Sequence, residues 1–430
     1  MQEHEHLNLN VRGLGLSATV AINERSARLM QEGRTLARLG LGQSPFPIPV
    51  SVVEALRANA TCKEYLAVRG LYELREAVAD YHRRRANIAC SADDVMVGPG
   101  SKELMFLLQV AFYGELVVPT PAWVSYVPQA QIAGRRIALL HTSQERDYHL
   151  TAAELESLCS ADPRRPRVVV LNYPCNPTGT TYSVEELAAL AEVARRFKIV
   201  VLSDEIYGEL HFAGTHVSIA TLYPEGTIVS SGLSKWCGAG GWRLGTFVFP
   251  PQLHWLMNAM AAIASETFTS TSAPLQHAAV TAFRGGMAIE RYLWRVRRIL
   301  AALTAACAGY LRAARLHVPE PAGAFYLFPD FGPIREALAR HGISTSAELA
   351  ERLLSDVGVA VLPGSDFCRE PNELTLRFSL VDFDGAKALA AIETLPADHP
   401  IEIPFLETHC CVVIEGVRRV AAWAKELNDK

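Results

Sequence analysis

A lysine and an arginine stand eight positions apart in SSGLSKWCGAGGWRLG, residues 230–245, a segment rich in glycine and serine. A lysine that condenses with a carbonyl must be reachable and oriented, and small neighbours let a ligand come close. Lys235 has that setting. Ser234 and Arg243 beside it can contact a phosphate, the arginine through a charge-assisted fork. A surface lysine in a glycine loop is the competing reading. In VLSDEIYGEL, residues 201–210, Asp204 closes an apolar run. Open α/β sheets place ligand contacts at such strand ends, and a carboxylate there can pair with a protonated ring nitrogen. Tyr207, three residues on, can donate to a ring oxygen. An aspartate that merely ends a strand is the alternative.

Four further segments carry polar groups in unusual settings. NYPCNPTG, residues 172–179, holds two prolines that fix a turn and a glycine that relieves it. Asn176 is then presented rigidly enough to bind a ligand oxygen, and Asn176-Pro177 is a candidate cis bond; otherwise the segment is only a turn. GPGSKELMF, residues 98–106, reads as a glycine turn between strand and helix. The N–H groups of Gly100, Ser101 and Lys102 there either cradle a phosphate at the helix N-terminus or form an ordinary βα turn. Trp123, in PTPAWVSY, stacks on a flat ring or fills a core. Arg377 lies between Leu376 and Phe378 in an apolar strand and needs a partner. That partner is a substrate carboxylate gripped bidentately or a structural ion pair.

These segments must be held by a frame. Seven β-branched runs read as strands: 94–97, 116–118, 136–140, 167–172, 198–203, 227–230 and 245–249. Most lack polar alternation, as expected of strands buried on both faces. Helical patterns lie between them, and Thr151 with Glu154 and Ser183 with Glu186 read as capping boxes. Strands alternating with helices imply βαβ units and a mainly parallel sheet. A long arginine-rich amphipathic helix follows at 287–315, then the turn-rich PEPAGAFYLFPDFGP and a short strand at 374–379. The predicted architecture is a large α/β domain, residues 51–310, with a smaller α+β domain from 1–50 and 311–430. ADHPIEIP, residues 397–404, reads as a linker before a final amphipathic helix at 412–427.

A chain of 430 residues, half of them hydrophobic, has enough apolar content for about two cores. A net charge of −4 gives no reason to expect nucleic acid or an anionic membrane as partner. The clusters Arg83 to Arg85 and Arg295 to Arg298 fit solvated helix faces. No basic start precedes an apolar run, and no stretch is apolar over a membrane's thickness. Nine scattered cysteines, an odd number, fit reduced thiols in a cytoplasmic protein. Glu3, His4, Glu5 and His6 alternate, which fits a mobile terminus better than a metal site. No metal site is expected, since paired CxxC and HExxH motifs are absent.

In this order on these elements, the motifs resemble the class I/II aminotransferases, pyridoxal-5'-phosphate enzymes of fold type I. The resemblance runs from SATVAINER, residues 17–25, through LGLGQSPFPIP and PAGAFYLFPDF to Arg377 and beyond, and is nearest to bacterial-type aspartate and prephenate aminotransferases. It implies that Lys235 binds the cofactor covalently and acts as general base. Asp204 would bind the pyridine nitrogen, Asn176 and Tyr207 the ring oxygen, and Trp123 would stack on the ring. Gly100, Ser101, Ser234 and Arg243 would bind the phosphate. Tyr65 would reach the phosphate of a second subunit, which implies a homodimer with shared sites. Arg377, helped by the backbone at Gly42, would hold the α-carboxylate of the amino acid or 2-oxo acid. Lys102 would meet the distal carboxylate of aspartate or glutamate, with the phosphate or plain solvent as its other possible partners. The reaction implied is ping-pong transfer of an amino group. Carbon–sulfur lyases and aminocyclopropane-carboxylate synthases carry the same constellation, and some regulators borrow the fold without catalysis. Two departures stand out. Gly232 occupies a position where some relatives carry a phosphate-binding serine, and QSPF replaces an acidic-Pro-Asp-Phe sequence after Gly42, which bears on substrate preference.

Overall fold

The computed structural model describes residues 6–396 and 399–429. The Glu3–His4–Glu5 part of the alternating terminus, and Ala397 and Asp398 of the expected linker, lie outside the described residues. All seven predicted strands form one sheet: β1 (Val95–Gly98), β2 (Glu115–Thr120), β3 (Arg136–His141), β4 (Arg167–Asn172), β5 (Val200–Asp204), β6 (Thr227–Gly232) and β7 (Gly245–Val248). Their order is β1-β7-β6-β5-β4-β2-β3. Only β7 runs antiparallel to its neighbours. Every residue of β5 and β6 is buried, as expected of central strands covered by helices on both faces; their apolar residues give way to polar ones at the carboxyl ends.

Helices α1 (Ser101–Ala111), α2 (Tyr126–Ile132), α3 (Ala152–Ala161) and α4 (Val184–Arg196) connect the strands. Both expected capping boxes form: Thr151 and Glu154 open α3, and Ser183 and Glu186 open α4. Each reciprocal pair satisfies orphan backbone N–H groups, worth about 1 kcal/mol per cap. The arginine-rich helix is α5 (Met287–Ala313). It buries Leu293, Val296, Leu300, Leu303, Cys307 and Leu311 at helical spacing against α6 (Cys411–Asp429), which answers with Val413, Val417, Val420 and Ala424. The expected linker is shorter than its sequence suggests, because Ile403–His409 is already helical. The arginine clusters are engaged within the chain, Arg83 and Arg84 with Asp80, Arg85 with Glu209 and Glu290, and Arg295 with Glu393. Among the described residues no helix is long and apolar enough to cross a membrane.

A second, antiparallel sheet has β8 (Tyr326–Leu327) and β9 (Leu362–Pro363) on either side of β10 (Leu376–Ser379). Ala37–Arg38 pairs in parallel with Val359–Ala360, tying the N-terminal segment to this part of the chain. That pairing delivers Gly40 to Gln43 to the edge of the large sheet's carboxyl end. The expected cis bond is not at Asn176-Pro177: the cis peptides are Thr120-Pro121 and Tyr173-Pro174. Every X-Pro bond has a similar intrinsic preference, so only the folded context separates them.

Candidate active site

Strand register sets out the floor of the site. Asn172 of β4 lies opposite Asp204 of β5, and Asp204 lies opposite Ser230 of β6. Three polar side chains thus stand abreast at the carboxyl ends of parallel strands, where such sheets bind ligands. Asp204 is only 3% exposed. Its Oδ2 accepts from the Tyr126 hydroxyl at 2.5 Å and its Oδ1 from Ser230 Oγ at a long 3.4 Å. Burial pushes the carboxyl up to about 6, against those bonds and the nearby Lys235 charge. Asn172 donates to the Asp204 carbonyl at 2.8 Å and accepts from the Asn176 N–H at 2.8 Å. The turn carrying Asn176 is therefore pinned to the strand carrying Asp204.

Lys235 follows β6 and is half-buried in the cavity wall. Its Nζ donates to the Gly42 carbonyl at 2.7 Å and lies 5.6 Å from the Tyr207 ring centroid. Burial, with repulsion from Arg377, lowers its ammonium to about 8. The Tyr207 hydroxyl shares a hydrogen bond with Tyr326 at 2.6 Å. A Cβ at Gly42 would sit 2.1 Å from that Tyr326 hydroxyl, so only glycine brings this backbone to the lysine.

The opposite end is cationic. Gly100 opens α1 with φ of +93°, and a Cβ there would sit 2.1 Å from the Arg243 guanidinium. Ser101 and Ser234 line the same end, and Arg243 is tethered to the Gly240 carbonyl at 2.9 Å. The Lys102 ammonium lies 5.1 Å from the Trp123 ring centroid, and crowding by protein atoms, then Arg243, lowers its pKa. Arg377 is 1% exposed; it donates to Asn176 Oδ1 at 3.1 Å and to the Gly40 carbonyl, and it stacks over Tyr326 and Phe367.

Eleven of the residues singled out in the sequence line one cavity of about 390 Å³: Gly42, Ser101, Lys102, Trp123, Asn176, Asp204, Tyr207, Ser234, Lys235, Arg243 and Arg377. Gly100 lies just behind, under Arg243. Tyr65 is elsewhere, 89% exposed on the outer surface. Sequence reasoning missed Thr19, Gln43, Asn172, Tyr126 and Tyr326. Thr19, Gln43 and Asn172 belong to quoted motifs and line the cavity with Tyr326, while Tyr126 sits three residues beyond Trp123. Their neighbours were the signal; their partners were not visible. Four cations and one carboxylate line the cavity, an excess that favours an anionic ligand.

A half-buried amine, a carboxylate at strand ends and a cationic helix N-terminus around one cavity define a lysine-based enzyme of carbonyl and phosphate chemistry. The model of the family "Aminotransferase class I and II" matches residues 34–393. The chain is 32% identical over 369 residues to asparagine–oxo-acid transaminase of Streptococcus mutans, covering 82% of this chain and 89% of that protein. It is 35% identical over 372 residues to a probable aspartate/prephenate aminotransferase of Thermus aquaticus, covering 84% and 92%. A solved aspartate aminotransferase from Thermus thermophilus with maleate superposes at a TM-score of 0.82 and 29% identity, over 97% of this chain and 99% of that one. The chain belongs to the class I and II aminotransferases, and is a pyridoxal-phosphate-dependent enzyme that transfers amino groups between amino acids and 2-oxo acids.

The residues present fit that cofactor. Among the described residues, neither Lys235 nor Arg377 forms an ion pair with a carboxylate, and Arg377 Nε is buried without a partner. Ser230 holds one oxygen of Asp204 only at a long 3.4 Å. The Gly100 turn leaves room for Arg243 that any side chain would fill.

Proposed function

We propose that the enzyme transfers the amino group of an acidic amino acid, aspartate or glutamate, to a 2-oxo acid by a ping-pong cycle within this cavity. The observation that carries the acidic preference is Lys102. Its ammonium shares the cavity with Arg377, so two cations await a dicarboxylate. The Thermus thermophilus neighbour was solved with maleate, itself a dicarboxylate.

When bound, pyridoxal phosphate supplies the electron sink for the substrate's α-carbon. In our reading, Lys235 holds the cofactor and, once released, moves the α-proton. An amine lowered to about 8 is unprotonated in a useful fraction near neutral pH. Asp204 stays ionised to keep the ring nitrogen protonated. Asn176 and Tyr207 bind the ring oxygen and Trp123 stacks on the ring. Ser101, Ser234, Arg243 and the N–H groups at Gly100 and Lys102 grip the phosphate. Arg377 and the Gly42 backbone fix the α-carboxylate. Tyr65 completes the phosphate site of a partner subunit in a homodimer, which accounts for an exposed tyrosine outside its own cavity. Residues 51–310 form the cofactor-binding unit, with 1–50 and 311–430 as the smaller one. Nine unpaired cysteines suit a cytoplasmic setting.

Mixing enzyme with one amino donor and no acceptor tests this. Aspartate or glutamate should release one equivalent of its 2-oxo acid per site and then stop, with alanine and phenylalanine much slower. Continuous release of ammonia would point to a lyase, and equal rates on all donors would remove the acidic preference.

A further inference from the structure

We propose that Tyr126 is a positioning residue that sets both Asp204 and Trp123 against the cofactor ring. The inference rests on the reading of Asp204 as the partner of the ring nitrogen. Tyr126 begins α2 and is 2% exposed. Its hydroxyl donates to Asp204 Oδ2 at 2.5 Å, while its ring meets Trp123 edge-on with centroids 5.2 Å apart at 82°. One side chain thus touches the residue beneath the ring nitrogen and the residue proposed to cover the ring face.

The bond divides the work of the two carboxylate oxygens. Oδ2 is committed to Tyr126, Oδ1 has a long 3.4 Å contact from Ser230, and the Ile206 backbone N–H also bonds to the carboxylate. Fixing one oxygen fixes the carboxylate plane, and Oδ1, not engaged by Tyr126, keeps acceptor capacity for a ring N–H. Tyr126 serves only as a donor, because burial and the Asp204 charge hold its own ionisation well above the usual range for a phenol. The other titratable groups facing Asp204 are Lys235, Tyr207 and Cys175. Tyr207 is bonded to Tyr326, and burial keeps the Cys175 thiol protonated. Lys235 is thus the one neighbour that contributes a charge, and Tyr126 contributes the strongest of the hydrogen bonds that favour the ionised carboxyl, ahead of the Ile206 backbone and Ser230. Without it, Asp204 protonates at higher pH and its hold on the ring nitrogen fails earlier.

Tyr126→Phe removes the hydroxyl and keeps the ring against Trp123. The measurement is the dissociation constant of pyridoxal phosphate from the apoprotein, by equilibrium dialysis, across about pH 5 to 8. Wild-type binding should weaken as pH falls through about 6, where Asp204 protonates. In Tyr126→Phe that limb should move up by about one pH unit, the scale of a hydrogen bond to a charged group. Asp204→Asn should flatten it. Thermal denaturation checks that both variants are folded. An unmoved limb in Tyr126→Phe with a flat Asp204→Asn profile overturns the role of Tyr126 and leaves that of Asp204 standing. A wild-type limb in Asp204→Asn removes the ring-nitrogen reading, and the proposal with it.

Discussion

Arg377 donates to the side-chain carbonyl of Asn176 at 3.1 Å, joining β10 to the turn after β4. Its other contacts are the neutral Gly40 carbonyl and two aromatic faces, and its Nε has no partner. A buried cation whose direct contacts are all neutral is costly until an anion joins it. The second reading of Arg377, a structural ion pair, finds no carboxylate in direct contact among the described residues; Asp366 acts on it only through a longer-range attraction.

Replacing Arg377 by lysine keeps the charge and loses the fork. A lost charge-assisted bond of about 2–3 kcal/mol corresponds to a drop in kcat/KM of roughly 100-fold, carried mostly by KM. Steady-state kinetics on aspartate reads this directly. A variant with wild-type KM would remove Arg377 from the carboxylate site.

Lys235 makes a prediction about stability. In the folded, cofactor-free protein its ammonium titrates near 8, against 10.5 when unperturbed. Between those values the unfolded chain binds more protons, so stability rises with pH across that window. Below pH 8 the buried cation costs on the order of 3 kcal/mol. Cofactor-free Lys235→Met should therefore be more stable than wild type at pH 7, with the gap closing as pH rises from 8 to 10.5. Melting curves at several pH values check this; a gap constant with pH would mean that the lysine is not buried as a cation. Borohydride should fix the cofactor to wild type and not to the variant.

The large sheet was legible because most of its strands carry apolar runs between helical patterns, and burial of the central strands on both faces demands that composition; the edge strand β3 has no buried residue. Asp204 was legible for a related reason, since a charge closing such a run stands out. The small sheet was less so. β8 and β9 are two residues each, too short to show a period. Tyr126 and Tyr326 were invisible because a buried tyrosine reads as core until its hydroxyl's partner is known. Asn172 looked like part of a turn, yet it couples β5 to Asn176 through both ends of its amide.

Tyr65 projects into solvent from a chain considered alone. If it completes a partner's site, Tyr65→Ala and Lys235→Ala should each be nearly inactive as homodimers. Co-expressed, they should regain up to about a quarter of wild-type activity, since a mixed dimer holds one intact site. Purifying the mixed species with two different tags and assaying it decides the matter. Absence of any recovery, or a fully active monomer, rules out a shared site.

Lys102 discriminates among donors. An ammonium in the first turn of α1 sits at the positive end of that helix, an unfavourable place unless an anion is near. Packing against the Trp123 face holds it over the cavity, and its depressed pKa reports the crowding. Two anions compete for it, the cofactor phosphate and the distal carboxylate of the substrate. Lys102→Ala separates them. If the carboxylate is the partner, kcat/KM for aspartate and glutamate should fall by about tenfold or more, the scale of one charge-assisted bond. Alanine and phenylalanine, which offer no distal carboxylate, should change much less. Uniform loss across donors, with weaker cofactor binding, would assign Lys102 to the phosphate. No loss on any donor would leave it as a solvated side chain at the cavity mouth.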